Sequence, residues 1–311
     1  MDITAVGEIL IDLTQSGENA LGIPEYTANP GGAPANLAVA AAKMGAKTAF
    51  VGKVGQDSFG TFLRKTLENY HVDTSGMSVD PVQNTTLSVA SVDESGERDF
   101  SFYREPSADV NLSREDLPLP MFEQTKILHI GSVSLTADPS ADATLEAVRY
   151  AKAHGALISY DPNYRQPLWD SRETAIERMK QPLTMVDILK VSDEELPLLT
   201  DTTDLETGTA ALAAEGIRLI LVTLGPNGAF YRFDEKTGHI PGVPCTVGDT
   251  NGAGDTFFGV ALAQLCRYSS LEELSIAELE TILSYANKAA SITTSRRGAI
   301  PAMPSWEEVF N

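Results

Sequence analysis

Asp249-Thr250-Asn251-Gly252-Ala253-Gly254-Asp255-Thr256-Phe257-Phe258-Gly259-Val260-Ala261-Leu262-Ala263-Gln264-Leu265 is the most informative stretch of the chain. From Val260 to Leu265 it is apolar on nearly every side, which predicts a helix buried all round. Gly252, Ala253 and Gly254 then form the small-residue entry to its N-terminus. Several amide N–H groups stay open at such an entry, and the helix dipole adds positive potential. That environment suits an anion, above all a phosphate gaining charge in a transition state. Asp255 falls in the first turn, where the dipole favours its ionised form. It can accept a proton from a hydroxyl held beside the phosphate; it can equally serve as a helix cap.

Outward from this stretch, short apolar runs alternate with longer helical patterns. The runs Ile3–Val6, Thr48–Val51, Ile127–Ile130, Ala156–Tyr160, Asp187–Val191 and Arg218–Thr223 read as strands. Helical periodicity covers Ala35–Met44, Phe59–Asn69, Ala141–His154, Thr174–Leu183, Thr207–Glu215, Asp255–Arg267 and Glu278–Ser291. The alternation predicts an α/β fold, a mostly parallel central sheet with helices on both faces. Two stretches break it: 9–27, and 85–104, which reads as two strands around Glu94-Ser95-Gly96-Glu97. Both are assigned to a small β lid on a single domain spanning 1–311. The predicted strands run into Gly131-Ser132, Asp161-Pro162-Asn163, Ser192-Asp193-Glu194-Glu195 and Leu224-Gly225-Pro226-Asn227-Gly228. Ligands of open parallel sheets bind at those carboxyl ends.

The 311 residues carry a net charge of −20, which argues against a nucleic-acid binder, since such proteins present a basic face. An acidic protein that binds phosphate must gather positive potential locally, from amides and bound cations. No run approaches the length of a membrane span. Met1–Leu10 lacks a basic n-region and a cleavage site. The two cysteines, Cys245 and Cys266, suit a reducing cytoplasm. The four histidines lack metal-ligand spacing and read as structural or surface residues.

A second glycine cluster is Pro30-Gly31-Gly32-Ala33-Pro34-Ala35-Asn36. Pro34 suits the first turn of a helix, and Gly31 and Gly32 let backbone approach a ligand. Asn36 offers a donor and an acceptor, as neighbouring sugar hydroxyls require, or it ties loop to helix. Asp12 can accept two hydroxyl hydrogen bonds. Other phosphate motifs fail. Gly45-Ala46-Lys47-Thr48 lacks the Gly-Lys pair of a P-loop, Phe257 stands where a dinucleotide fingerprint has Gly or Ala, and the protein-kinase signatures are missing.

In this order, the two glycine clusters resemble the signatures of the ribokinase-like (PfkB) carbohydrate kinases: Gly31, Gly32 and Asn36, then Asp249 to Asp255. The segments 30–36, 50–57, 104–109, 161–169 and 190–196 are similar to those of fructokinases. Kinases of 2-keto-3-deoxygluconate and dehydrodeoxygluconate share several of them. The resemblance implies a three-layer α/β/α fold and transfer of phosphate from ATP to a primary hydroxyl of a small sugar, fructose first. It implies Asp255 as base and Gly252, Ala253 and Gly254 as the anion hole. Asp12, Gly31, Gly32, Asn36, Tyr103 and Arg165 would bind the sugar, with Phe100 and Phe102 also on the lid. Arg165 would instead meet the carboxylate of an acid sugar, or pair with a neighbouring acid. Lys190, Glu195, Thr223, Gly225, Gly228 and Asn287 would bind ATP, and Glu195 would organise Mg²⁺ indirectly. Asp249, Asn251, Thr293, Arg296, Gly298 and Ala302 would surround a monovalent cation, K⁺. Here Ser192 replaces the Asn of the family's N-x-x-E motif. The expected partners are sugar and ATP, with a homodimer through the lid. The rival from another class is a non-catalytic sugar sensor.

Overall fold

A computed structural model describes residues 1–92 and 98–311. Its strands in chain order are β1 (Ile3–Val6), β2 (Leu10–Glu18), β3 (Pro24–Gly31), β4 (Thr48–Gly55), β5 (Asp73–Asp80), β6 (Leu87–Val92) and β7 (Arg98–Tyr103). They continue with β8 (Ile127–Gly131), β9 (Leu157–Asp161), β10 (Ile188–Ser192), β11 (Leu219–Thr223), β12 (Ala229–Phe233) and β13 (Lys236–Ile240).

Nine strands form the central sheet in the order β13-β12-β11-β10-β9-β8-β1-β4-β5. Neighbours from β5 to β11 are parallel, and β12 and β13 join antiparallel. β1, β8 and β11 are nearly continuous apolar runs, as strands covered on both faces must be. One face carries the helices Ala33–Lys43, Ala253–Leu265 and Ile276–Thr294, packed through Leu37, Phe257, Phe258 and Leu283. The other carries Ser140–Ala153, Arg172–Lys180 and Leu205–Ala214, packed through Ala147, Met179 and Leu212. The fold is thus the expected α/β arrangement of three layers.

The helix Ala253–Leu265 is buried at every residue from Asp255 onward. It crosses Ala33–Lys43 so closely that a Cβ on Gly259 would lie 2.8 Å from both the Leu37 carbonyl and the Ala40 methyl. A glycine facing a small alanine permits that approach, and it fixes the N-terminus of the buried helix relative to Asn36.

The second sheet has the order β3-β2-β6-β7, with β2 and β6 parallel and the outer pairs antiparallel. It contains the two stretches that break the sequence alternation. β3 continues to Gly31, past the expected boundary at Thr27, so the glycine cluster straddles sheet and helix. The turn 94–97 and the Phe100 side chain lie outside the described residues. The sequence pattern does not announce β5, β12 or β13. β5 reads Asp-Thr-Ser-Gly-Met-Ser-Val-Asp, an edge strand with little apolar signal. β12 and β13 form a short hairpin whose second strand, Lys-Thr-Gly-His-Ile, is mostly polar.

Candidate active site

The carboxyl ends of the parallel strands lie level. Gly131 pairs in register with Asp161, and Ser192 with Thr223, so their loops share one edge of the sheet. A cavity of about 470 Å³ opens there between the two sheets. Its lining includes Asp12 and Ser88 from the small sheet, Asn36, Asn163 and Arg165 from the central domain, and Gly252, Gly254 and Asp255 from the buried helix.

Gly252 starts that helix with φ +75°, a left-handed conformation a side chain would strain. A Cβ on Gly254 would lie 3.0 Å from Lys190 Nζ. Glycine therefore brings the lysine amine against the open amides, and two sources of positive potential meet.

Asp255 is 8% exposed. Asn36 Nδ2 donates to its Oδ2 at 2.8 Å, and Asn163 Nδ2 donates to its Oδ1 at 3.3 Å. Both donors come from other parts of the chain, so the carboxylate is held by two side-chain amides at the cavity wall. The helix dipole favours the ionised form, but burial dominates. It lifts the Asp255 pKa above the ordinary value, against the pull of Asn36, Lys190 and Arg165. A raised pKa makes the carboxylate a better proton acceptor.

Burial also raises Asp12 to about 6, opposed by Asn251, Ser88 and Arg165 and assisted by Asp255. Lys190 and Asp161 form an ion pair at 2.9 Å, with side chains 7% and 3% exposed. Burial works against the Lys190 charge, but Asp161, Glu195 and Asp255 outweigh it and raise its pKa. Glu195 lies just outside the cavity. Its Oε1 accepts from the Tyr164 amide at 2.6 Å and its Oε2 from the Ser192 amide at 2.8 Å, tying together the loops after β9 and β10. His129, behind Lys190, is lowered to about 3 by burial and by that lysine, and is a neutral core histidine.

Of the residues expected around the sugar, Asp12, Gly32, Asn36 and Arg165 line the cavity. Gly31 does not: the space of its missing Cβ is taken by the Asp12 carboxylate, 2.2 Å away. Gly31 therefore seats Asp12 rather than a ligand. Tyr103 also lies elsewhere. It is 66% exposed and borders a second hollow, whereas Phe102 lines both that hollow and the main cavity. Arg165 is exposed, donates to the Tyr164 carbonyl at 3.1 Å, and has no ion pair among the described residues.

The residues expected for the nucleotide gather beyond the cavity. Thr223 ends β11, and Gly225 follows it, exposed, with φ +55°. Gly228 and Asn287 converge on the end of β13. A Cβ on Gly228 would lie 2.1 Å from the Ile240 carbonyl, and Asn287 Nδ2 donates to the carbonyls of Ile240 and Pro241. The cation candidates join two loops. Asp249 accepts from the amides of Asn251 (3.0 Å) and Gly298 (3.2 Å), and the Asp249 amide donates to the Thr294 carbonyl. Thr293 is buried and its hydroxyl donates to the Ala289 carbonyl. Arg296 turns outward to Glu308, keeping one long contact to the Ala302 carbonyl.

Phe102, expected on the lid, lines the cavity, whereas sequence reasoning missed Glu8, Ser88 and Asn163 as site residues. Asn163 had a signal, the Asp-Pro-Asn ending of a strand. Glu8 had another, a charge two residues after a wholly buried strand.

A sequence model of the pfkB family carbohydrate kinases matches residues 1–306. The chain belongs to that family. It is a phosphotransferase that acts on a sugar hydroxyl. Among relatives, the probable fructokinase-3 of Arabidopsis thaliana is 41% identical to this kinase, over 99% of this chain and 90% of its own. The structure of Xylella fastidiosa fructokinase with bound ATP superposes with a TM-score of 0.92 at 32% identity, covering 99% and 96% of the two chains. A Vibrio cholerae O395 fructokinase double mutant, with fructose, ADP and potassium bound, gives 0.91 at 34% identity, covering 100% and 97%.

Proposed function

We propose that this kinase transfers the γ-phosphoryl group of ATP to the primary hydroxyl of fructose, giving fructose 6-phosphate. The observation that carries the reading is Asp255, held by Asn36 and Asn163 inside the cavity, one turn from the open amides of Gly252–Gly254 and beside Lys190. Asp12, Asn36 and Arg165 orient the sugar. Asp255 aligns the hydroxyl and takes its proton as the phosphoryl group arrives. The glycine amides and Lys190 stabilise charge on the transferring group, and positioning with electrostatics supplies most of the acceleration. Fructose is favoured by the fructokinase relatives and by carboxylate and amide side chains in the cavity, Asp12, Asn36 and Asn163, that can hydrogen-bond hydroxyls.

ATP is assigned to the loops carrying Thr223, Gly225, Gly228 and Asn287. Mg²⁺ would neutralise phosphate oxygens. Glu195 suits an indirect role toward it, because both its carboxylate oxygens are already bound to backbone amides. Asp249, Asn251, Thr293, Arg296, Gly298 and Ala302 would hold K⁺ largely through carbonyls. The small sheet acts as a lid, closing to keep water from competing as acceptor, on one domain spanning 1–311. Its exposed Leu21, Ile23, Tyr26 and Tyr103 suit pairing with a second copy. No helix of the described residues is long and apolar enough to cross a membrane; with two unpaired cysteines, the cytoplasm is the assigned compartment.

A second reading, a keto-deoxy sugar-acid kinase, is favoured by Arg165 alone, an exposed cavity cation without an ion pair among the described residues. ADP release with Mg-ATP and K⁺ across fructose, ribose, 2-keto-3-deoxygluconate, dehydrodeoxygluconate and adenosine separates the readings. Turnover of fructose above the others is expected. Turnover only of an acid sugar reassigns Arg165 to its carboxylate. Sugar binding without any turnover would leave the non-catalytic sensor.

A further inference from the structure

Glu8 lies in the short connection from β1 to β2, where the chain passes from the central sheet to the small one. It is buried and lines the main cavity. Its Oε1 accepts from the Ala33 amide at 3.0 Å. Ala33 opens the helix Ala33–Lys43, whose N-cap, Gly32, has no side chain to satisfy the free amides. Glu8 supplies that acceptor from another part of the chain. Gly32 permits the approach, since a Cβ there would lie 2.6 Å from the Glu8 carbonyl. One oxygen of the carboxyl is thereby fixed and its plane is set.

The other oxygen, Oε2, is buried and has no hydrogen-bond partner. A buried polar atom left without a partner is costly and rare. The Arg104 charge lowers the Glu8 pKa but gives that oxygen no hydrogen bond. Arg104 spends its Nε on Asp109, its Nη1 on Thr136 and its Nη2 on the Val133 carbonyl. A second cavity acceptor is in the same state. Asn36 donates through Nδ2 to Asp255, while its Oδ1 is buried and unpartnered. Two acceptors short of donors, on the wall of a cavity between two sheets, complement a ligand rich in O–H groups.

We propose that Glu8 is a sugar-binding, specificity-determining residue of this kinase: its Oε2 accepts a hydrogen bond from one non-reacting hydroxyl of the bound sugar. The assignment rests on the carbohydrate-kinase reading and adds a contact to it. Burial raises the Glu8 pKa to about 7, with Asp109 adding to the rise and the amides of Glu8 and Ala33 and the Arg104 charge opposing it.

The test crosses Glu8→Gln with monodeoxy sugars. Each analogue of the sugar that the wild type phosphorylates best lacks one hydroxyl other than the acceptor. One analogue should lose roughly 10- to 100-fold in kcat/KM with the wild type, the range for a hydrogen bond to a charged group. Glu8→Gln keeps an oxygen for the Ala33 amide. It should lose about 10-fold on the intact sugar, leave KM for ATP unchanged, and show no further loss on that one analogue. An equal loss on every analogue, or a matching change in KM for ATP, would overturn the assignment and leave Glu8 as a helix tie. Carbon-13 NMR of the Glu8 carboxyl in the wild type needs no variant to fold. Its titration midpoint should drop when sugar is added, and an unmoved midpoint would overturn the contact. Absence of turnover by the wild type counts against the kinase reading instead, and the NMR titration still reads Glu8 against the sugar.

Discussion

The two halves of the site are built from different materials. The half assigned to the sugar is enclosed, and its recognition groups are side chains already paired or poised: Asp255 on two amides, Asp12 seated on Gly31, Glu8 tied to Ala33. The half assigned to the nucleotide is a row of exposed or partly exposed loops after β10 and β11, shaped by backbone at Gly225 and Gly228. A small ligand offering only hydroxyls needs acceptors fixed in position before it arrives, and burial fixes them. A large anionic ligand can be held by amides and shape. The cost of the first strategy is visible in the raised pKa values of Asp12, Glu8 and Asp255, each caused first by burial.

The contrast can be broken most severely at Lys190, where the halves meet. Lys190→Ala would leave Asp161 enclosed without its partner, and losing one partner of such a pair costs about 3–5 kcal/mol. Urea unfolding should show a loss of that size. The same truncation at Arg114, whose partners Asp142 and Glu146 are exposed, should cost under about 1 kcal/mol. Similar losses at both positions would remove the distinction between the enclosed site and the surface.

Asp12 sharpens the comparison through pH. Its folded pKa, about 6, lies above its ordinary value of 3.8. The folded state therefore binds more protons between those values, and this group's contribution to stability falls as pH rises from about 4 to about 6 and stays reduced above. Asp12→Asn should be more stable than the wild type at pH 7.5, by on the order of 1–3 kcal/mol, with the gain fading below about pH 4. It should lose sugar turnover throughout. A variant less stable at pH 7.5 would contradict the assignment of Asp12 as a carboxylate strained for function.

The smallest expected effect lies in the nucleotide half. Gly225 has φ +55°, and a Cβ there would meet nothing within 4 Å, so Gly225→Ala brings strain but no clash. Strain of about 1–2 kcal/mol should raise KM for ATP several-fold and leave KM for the sugar unchanged. A change in sugar KM instead would place this loop on the wrong side of the site.

The central parallel strands and their helices were legible because burial on both faces writes itself as uninterrupted apolar runs. The glycine-rich entry at 252–254 was legible because a fully apolar helix follows it. β5 and β13 were not, since an edge strand with one wet side can be built from Asp, Ser, Thr and Lys. Tyr103 and Phe102 show a finer limit. Both are aromatic and adjacent, and only the register of β7 decides which one faces the cavity. Gly31 shows another: sequence indicates that a side chain is excluded there, but not that Asp12, distant along the chain, is what excludes it. Glu8 and Asn163 came together with Ala33 and Asp255 only through the tertiary fold.

The most direct test is fructose-dependent ADP release by the wild type and by Asp255→Asn, with fructose affinity measured by calorimetry on both. The account predicts that kcat falls about 10²- to 10⁴-fold in the variant, the range for loss of a positioned general base, while fructose still binds within about threefold of wild-type affinity because Asp12, Asn36 and Arg165 remain. Turnover left intact in Asp255→Asn would contradict it, because the carboxylate in the cavity would then not be the group that accepts the sugar's proton.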